Sequence, residues 1–132
     1  VSNINERLNL YKELNNFTRE EEITAFIERL KDRFGNVPPS ISNICDTLRL
    51  RWLAKQIGFE RIILKNDSMR SYFPSQADSN YYNSDSFKHA LDFLNHNFGK
   101  CEMIEKKGTL SMRVKNIHSI EDAIKICKEI IN

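Results

Sequence analysis

The chain has 132 residues, 40% of them hydrophobic and 29% charged, the proportions of an ordinary globular protein and not of a disordered one. Its net charge of +2 divides as 11 basic and 9 acidic side chains in residues 1–66 and 9 of each in residues 67–132, which excludes a basic tail built for a polyanion. No apolar run approaches the ~20 residues of a membrane span, and no signal-peptide pattern opens the chain.

Ile4, Leu8, Tyr11 and Leu14 recur at helical spacing and predict an amphipathic helix over residues 3–15. Thr18 followed by Glu21 is a capping-box signature for a second helix. Along it Ile23, Phe26, Ile27, Leu30 and Phe34 form an inward stripe. Gly35 is placed to end that helix, and Pro38-Pro39 prevents its continuation. A third helix starts at Pro39 or Ser40, turns Ile41, Ile44, Cys45, Leu48, Trp52 (or Leu53) and Ile57 inward, and stops at Gly58.

Residues 59–65 (F-E-R-I-I-L-K) then read as a strand, Asn66-Asp67-Ser68 as a turn, and residues 69–73 as the returning strand. Residues 74–84 are polar and turn-rich, a surface loop in which Tyr81 and Tyr82 either form a contact patch or fold back. A helix is expected over 86–97 with Phe87, Ala90, Leu91 and Leu94 on one face, ended by Gly99. A second hairpin, residues 100–105 and 109–115, turns at Lys106-Lys107-Gly108. The last helix starts at Ser119 and buries Ile120, Ala123, Ile124, Cys127 and Ile131. Its pattern matches the preceding helix, Ser86-Phe87-x-x-Ala90-Leu91 against Ser119-Ile120-x-x-Ala123-Ile124, as a pseudo-repeat would. The expected class is α+β, in the order ααα-ββα-ββα: a three-helix N-terminal layer, then a small, mostly antiparallel sheet with two helices.

Residues 1–132 are expected to form a single domain, since no long linker or low-complexity segment divides them. The chain opens on Val1 where a helix is about to begin, which suggests a domain cut from a larger polypeptide. Cys45, Cys101 and Cys127 are odd in number, widely spaced and placed on apolar faces, which predicts buried free thiols in a reducing cytoplasm rather than disulfides.

The parts of an enzyme are missing. His89 and His96 lie seven residues apart on one helix, two turns or about 10.5 Å, too far to share a metal whose ligands sit ~2.0–2.6 Å away. His118 has no acid or nucleophile at a telling offset. Gly99-Lys100-Cys101 lacks the first glycine and the Ser/Thr of a phosphate loop. No catalytic residue, metal or cofactor is therefore expected. A nucleic-acid surface is an alternative: Arg49, Arg51, Lys55, Arg61 and Lys65 form a locally basic stretch interleaved with Trp52 and Phe59. Against it, Arg49 and Arg51 are ~200° apart around a helix.

Three motifs carry a family resemblance. R-L-N-L-Y-K at 7–12, D-R-F-G-N-V-P at 32–38 and L-R-L-R-W-L-A-K-Q-I-G-F at 48–59 resemble the C-terminal domain of the bacterial transcription-repair coupling factor, specifically from Arg7 to Ile63. The resemblance implies a non-catalytic domain of a DNA translocase that displaces stalled RNA polymerase and recruits the excision-repair protein UvrA. Such a domain packs on the parent's UvrB-like N-terminal module, hides the UvrA-binding surface, and keeps the motor autoinhibited, while DNA is bound by the parent elsewhere. The family motif E-L-x-D-R-F-G places the contact at the end of the second helix. Asp32, Arg33, Phe34 and Gly35 match it, but Arg29 stands at the usual Glu position, with Glu28 one residue away. Asp32, Glu28, Arg29 and Arg33 are thus the expected interface residues, with Phe34 a core residue and Gly35 a helix stop.

Overall fold

A computed structural model of the chain describes residues 4–75 and 79–132. Among the described residues six helices and four strands follow one another as α1 (Ile4–Asn15), α2 (Glu20–Phe34), α3 (Pro39–Ile57), β1 (Arg61–Lys65), β2 (Ser68–Tyr72), α4 (Ser79–Tyr82), α5 (Asp85–His96), β3 (Cys101–Lys106), β4 (Thr109–Lys115) and α6 (Ile120–Ile131). The fold is α+β in the expected order, with the short α4 added inside the segment expected to be loop. Residue 3, the expected start of the first helix, and residues 76–78 of that loop lie outside the described residues. Two compact units divide the chain, one up to Arg49 and one from Leu50 onward.

In the first unit, Leu14, Ile23, Phe26, Leu30, Ile41, Cys45 and Leu48 are buried, and Phe17 meets Phe26 edge to face at 5.6 Å between ring centres. Three expectations are corrected here. Ile4 and Leu8 are exposed (68% and 50%), so the inward stripe of α1 comes down to Leu14 and a half-buried Tyr11. Phe34 is also exposed (37%). It lies in the last turn of α2, under the Arg33 guanidinium, and is no core residue. The cap before α2 uses a different acid: the Thr18 backbone N–H donates to Glu22 Oε1 at 3.1 Å, because α2 starts at Glu20 and Glu22, not Glu21, then reaches back. Gly35 ends α2 as expected, with φ +86° and its N–H on the Lys31 carbonyl.

Along α3 the apolar stripe changes phase. Ile41, Cys45 and Leu48 are buried in its first part, Leu50, Ala54 and Ile57 in its second, while Trp52 and Leu53 are both half-buried. One stripe extrapolated through the whole helix therefore missed Leu50, and of the alternatives Trp52 and Leu53 it is Leu53 that packs on the core of the second unit. Gly58 terminates α3 at φ +105°, its N–H on the Ala54 carbonyl at 2.9 Å.

The second unit is a four-stranded antiparallel sheet in the order β1-β2-β4-β3. Two hairpins make it, joined through their second strands. Both turns hold the left-handed residues that two-residue hairpins need: Asn66 and Asp67 (φ 54° and 57°), and Lys107 and Gly108 (φ 53° and 78°). Each hairpin is followed by a helix with a serine N-cap, Ser84 accepting from the Phe87 N–H and Ser119 from the Asp122 N–H. One sheet face carries Met69, Met112, Val114 and Cys101 into a core shared with Ala90, Phe93, Ala123, Ile126 and Cys127 of α5 and α6. Ala90 and Ala123, equivalent in the two helical patterns, are both fully buried. Tyr81 and Tyr82 fold back instead of forming a patch: Tyr81 donates to the Ile57 carbonyl at 2.9 Å, Tyr82 to that of Pro74, and both rings pack on Phe87.

Candidate functional site

The four expected interface residues sit together on α2, but the structure divides them by what they touch. Residues four apart share a helix face, so Glu28 and Asp32 form one row and Arg29 and Arg33 the next. The arginine row is engaged. Arg29 binds the Glu13 carboxylate and Arg33 binds Glu6 at 2.6 Å, so α2 runs antiparallel to α1 with two rungs of opposite charge between them. Their guanidinium groups also lie over Phe26 and Phe34, at 5.5 and 5.1 Å from the ring centres.

Arg29, at the position where the resembled family has glutamate, thus serves a contact inside this chain. The acidic row is different. The Glu28 and Asp32 side chains are exposed and make no ion pair or hydrogen bond among the described residues. With Glu21, seven residues before Glu28 and also exposed, they line the outer surface of α2 with carboxylates.

The rungs to α1 had a signal that sequence reasoning missed. Glu6 and Glu13 are seven apart, two turns of one helix, and Arg29 and Arg33 follow on the next helix in an order that an antiparallel pair brings into register.

The basic stretch of residues 49–65 is divided between the two units. Arg49 belongs to the first unit, where Nε and Nη2 bind the Glu20 carboxylate at 2.9 and 2.8 Å and Nη1 binds Asp46 at 2.8 Å. Its hydrogen bonds to Glu20 hold its pKa above the usual guanidinium value. The other four cations belong to the second unit. Arg51 and Lys55 are exposed on α3, whereas Arg61 lies over the Tyr72 ring at 4.5 Å and Lys65 closes the same strand.

The histidines and cysteines are occupied structurally. His89 meets the Ile131 carbonyl at 2.9 Å, His96 that of Asp92 at 2.7 Å, and His118 the Asp67 carboxylate at 3.1 Å. Cys45, Cys101 and Cys127 are free and buried. Burial pushes the Cys101 thiol up to about 11 and Cys127 up to about 12, so neither is a ready nucleophile. Among the described residues no three acidic, histidine or cysteine side chains converge on a metal position, and no helix is long and apolar enough to cross a membrane.

The exposed carboxylates of α2 form an acidic helix face on an α+β fold. Residues 1–84 match the TRCF domain, and the chain belongs to that family. Over 72 residues it is 27% identical to the transcription-repair-coupling factor of Rickettsia prowazekii and 26% identical to that of Rickettsia conorii, 54% of this chain and 6% of either relative. The chain thus spans a small fraction of these proteins' length. The fold is that of a crystal structure of the C-terminal domain of transcription-repair coupling factor, with a TM-score of 0.76 and 14% identity over 99% of this chain and 82% of that one. This likeness extends through residues 85–132, beyond the segment that matches the family.

Proposed function

We propose that this chain is the regulatory domain of a transcription-repair coupling factor. It has no chemistry of its own and acts in the cytoplasm by packing on the UvrB-like module of its parent. Docked there, it masks the UvrA-binding surface and holds the motor closed until RNA polymerase engages the parent. The observation that carries the reading is the exposed carboxylate row of Asp32, in the family's D-R-F-G motif on α2, and Glu28, one turn before it, left unpaired among the described residues while the adjacent arginines are tied to α1. Carboxylates free of internal partners suit a basic partner surface, and the exposed Ile4 and Leu8 add apolar area on the same unit.

A tethered domain sees its partner at an effective concentration near millimolar, so a contact that is weak between separate molecules suffices to close the parent. The test is a titration of this chain against the isolated UvrB-like module. Binding in the micromolar range that falls about tenfold with Asp32→Lys and with Glu28→Lys is expected. Equal binding by the wild-type chain and both variants would place the contact elsewhere.

A further inference from the structure

The sheet of the second unit has a second face. Counting outward from the buried Met69, Met112, Val114 and Cys101, the alternate residues of each strand point the other way. The register brings Arg61 opposite Tyr72, Ile63 opposite Arg70, Arg70 opposite Arg113, and Ser68 opposite Lys115. Six cations result on one face: Arg61, Lys65, Arg70, Lys106, Arg113 and Lys115. Glu102, paired with Arg113 at 3.4 Å, is the carboxylate among them. At one end Arg61, Arg70, Tyr72, Lys106 and Thr109 line a shallow depression of about 990 Å³, with Glu60 also on its wall. Two guanidinium groups lie over the Tyr72 ring, Arg61 at 4.5 Å and Arg70 at 5.2 Å from its centre, and Arg70 is steadied by donating to Ser111 Oγ at 3.2 Å.

We propose that this open sheet face binds single-stranded nucleic acid, with its cations on the phosphates and the planar groups of Arg61, Tyr72 and Arg70 as a platform for a base. Charge selects a polyanion. Apolar content argues against a protein: a protein-docking patch has an apolar, aromatic centre, whereas the large aliphatic residues on this face are Ile63 and the half-buried Ile104. Shape argues against a duplex, whose major groove admits a helix or a two-stranded ribbon and not the face of a four-stranded sheet. A flexible strand can lie across cations spaced about 6.6 Å along a strand and about 4.8 Å between strands, and bases stack on tyrosine and on guanidinium planes alike. This goes beyond the proposed regulatory role, and departs from the expectation that nucleic acid is touched only by other parts of the parent.

The test is fluorescence anisotropy of a labelled 15-nucleotide oligo-dT titrated with the 132-residue chain. Three or four phosphate contacts predict a log–log salt slope of about −2.1 to −2.8, so raising salt from 50 to 200 mM weakens binding roughly 20- to 50-fold. Arg61→Glu with Lys65→Glu should weaken binding at least tenfold. Arg51→Glu with Lys55→Glu, the same charge change on exposed α3 positions, should cost no more than about twofold. Tyr72→Ala should weaken oligo-dT about fivefold and leave the affinity for polyglutamate unchanged. No binding at 50 mM salt, equal losses for the two double variants, or polyglutamate competing as well as oligo-dT would each overturn the proposal, the last by making the face a site for acidic protein.

Discussion

Of the four glycines, Gly58 alone has neighbours within 4 Å of a would-be Cβ, and replacing it with alanine separates two costs that usually arrive together. Its φ of +105° strains any L-residue, and a Cβ there would lie 2.1 Å from Cε1 of Tyr81. The ring has little room to yield, because it packs on Phe73 at 6.1 Å, Tyr82 at 5.2 Å and Phe87 at 5.6 Å while its hydroxyl donates to Ile57. Backbone strain alone costs about 1–2 kcal/mol. Displacing the ring forfeits aromatic pairs worth about 0.5–1.5 kcal/mol each and a hydrogen bond worth about 1 kcal/mol. Gly58→Ala should therefore destabilise by roughly 3.5–7.5 kcal/mol. Gly108 is the control: it too has positive φ (+78°), but nothing lies within 4 Å of its would-be Cβ, so Gly108→Ala should cost only the strain, about 1–2 kcal/mol. Urea denaturation followed by far-UV circular dichroism measures both. Adding Gly58→Ala to Tyr81→Ala should also cost only about 1–2 kcal/mol, since the clash is then gone. Equal losses for the two glycines, or strict additivity in the double variant, would refute the reasoning.

The buried core supplies two further predictions. The Ser71 hydroxyl is fully buried with no hydrogen-bond partner among the described residues, so Ser71→Ala should be neutral or stabilise by about 1 kcal/mol. A clear fall in the thermal midpoint would show that the hydroxyl is satisfied. Cys127, raised from 9.0 to about 12 by burial, should react with a disulfide reagent at pH 8 at least 100-fold more slowly in the native protein than in urea. The linkage has a definite sign. A folded pKa above the unfolded one gives stability that is complete below about pH 8.5 and is lost as pH rises toward 12. The stability advantage of wild type over Cys127→Ala should accordingly shrink between pH 8.5 and 11, and an advantage that grew over that range would contradict the assignment.

Local chemistry made much of the fold legible. Asn66-Asp67 and Lys107-Gly108 tolerate positive φ and announced both hairpins, and the serine before the last helix announced its start, because each of these signals acts within a few residues. The misreadings came where distant packing decides. Phe34 and Ile4 fit helical stripes, yet burial depends on what stands opposite, which spacing along one helix does not contain. The phase change in α3 between Leu48 and Leu50 defeats any single stripe for the same reason. At the candidate site, Asp32 could be proposed from a motif and Glu28 as the neighbour of its mismatched position, but the engagement of Arg29 and Arg33 rests on partners 16 and 27 positions away. The cationic sheet face was the least legible of all: Arg70 meets Ser111 across 41 positions, and only the strand order places Arg61, Arg70 and Arg113 together.

The most direct test of the regulatory role is the affinity of the intact parent protein for UvrA, with and without Asp32→Lys. If the internal contact has a dissociation constant near 10 μM against an effective concentration near 1 mM, the closed form dominates about a hundredfold. Loosening the contact tenfold should then raise the apparent affinity for UvrA about tenfold. That gain, with an unchanged melting curve, is what the masking role requires. An Asp32→Lys parent that binds UvrA no better than wild type, while the isolated chain stays folded, would contradict it.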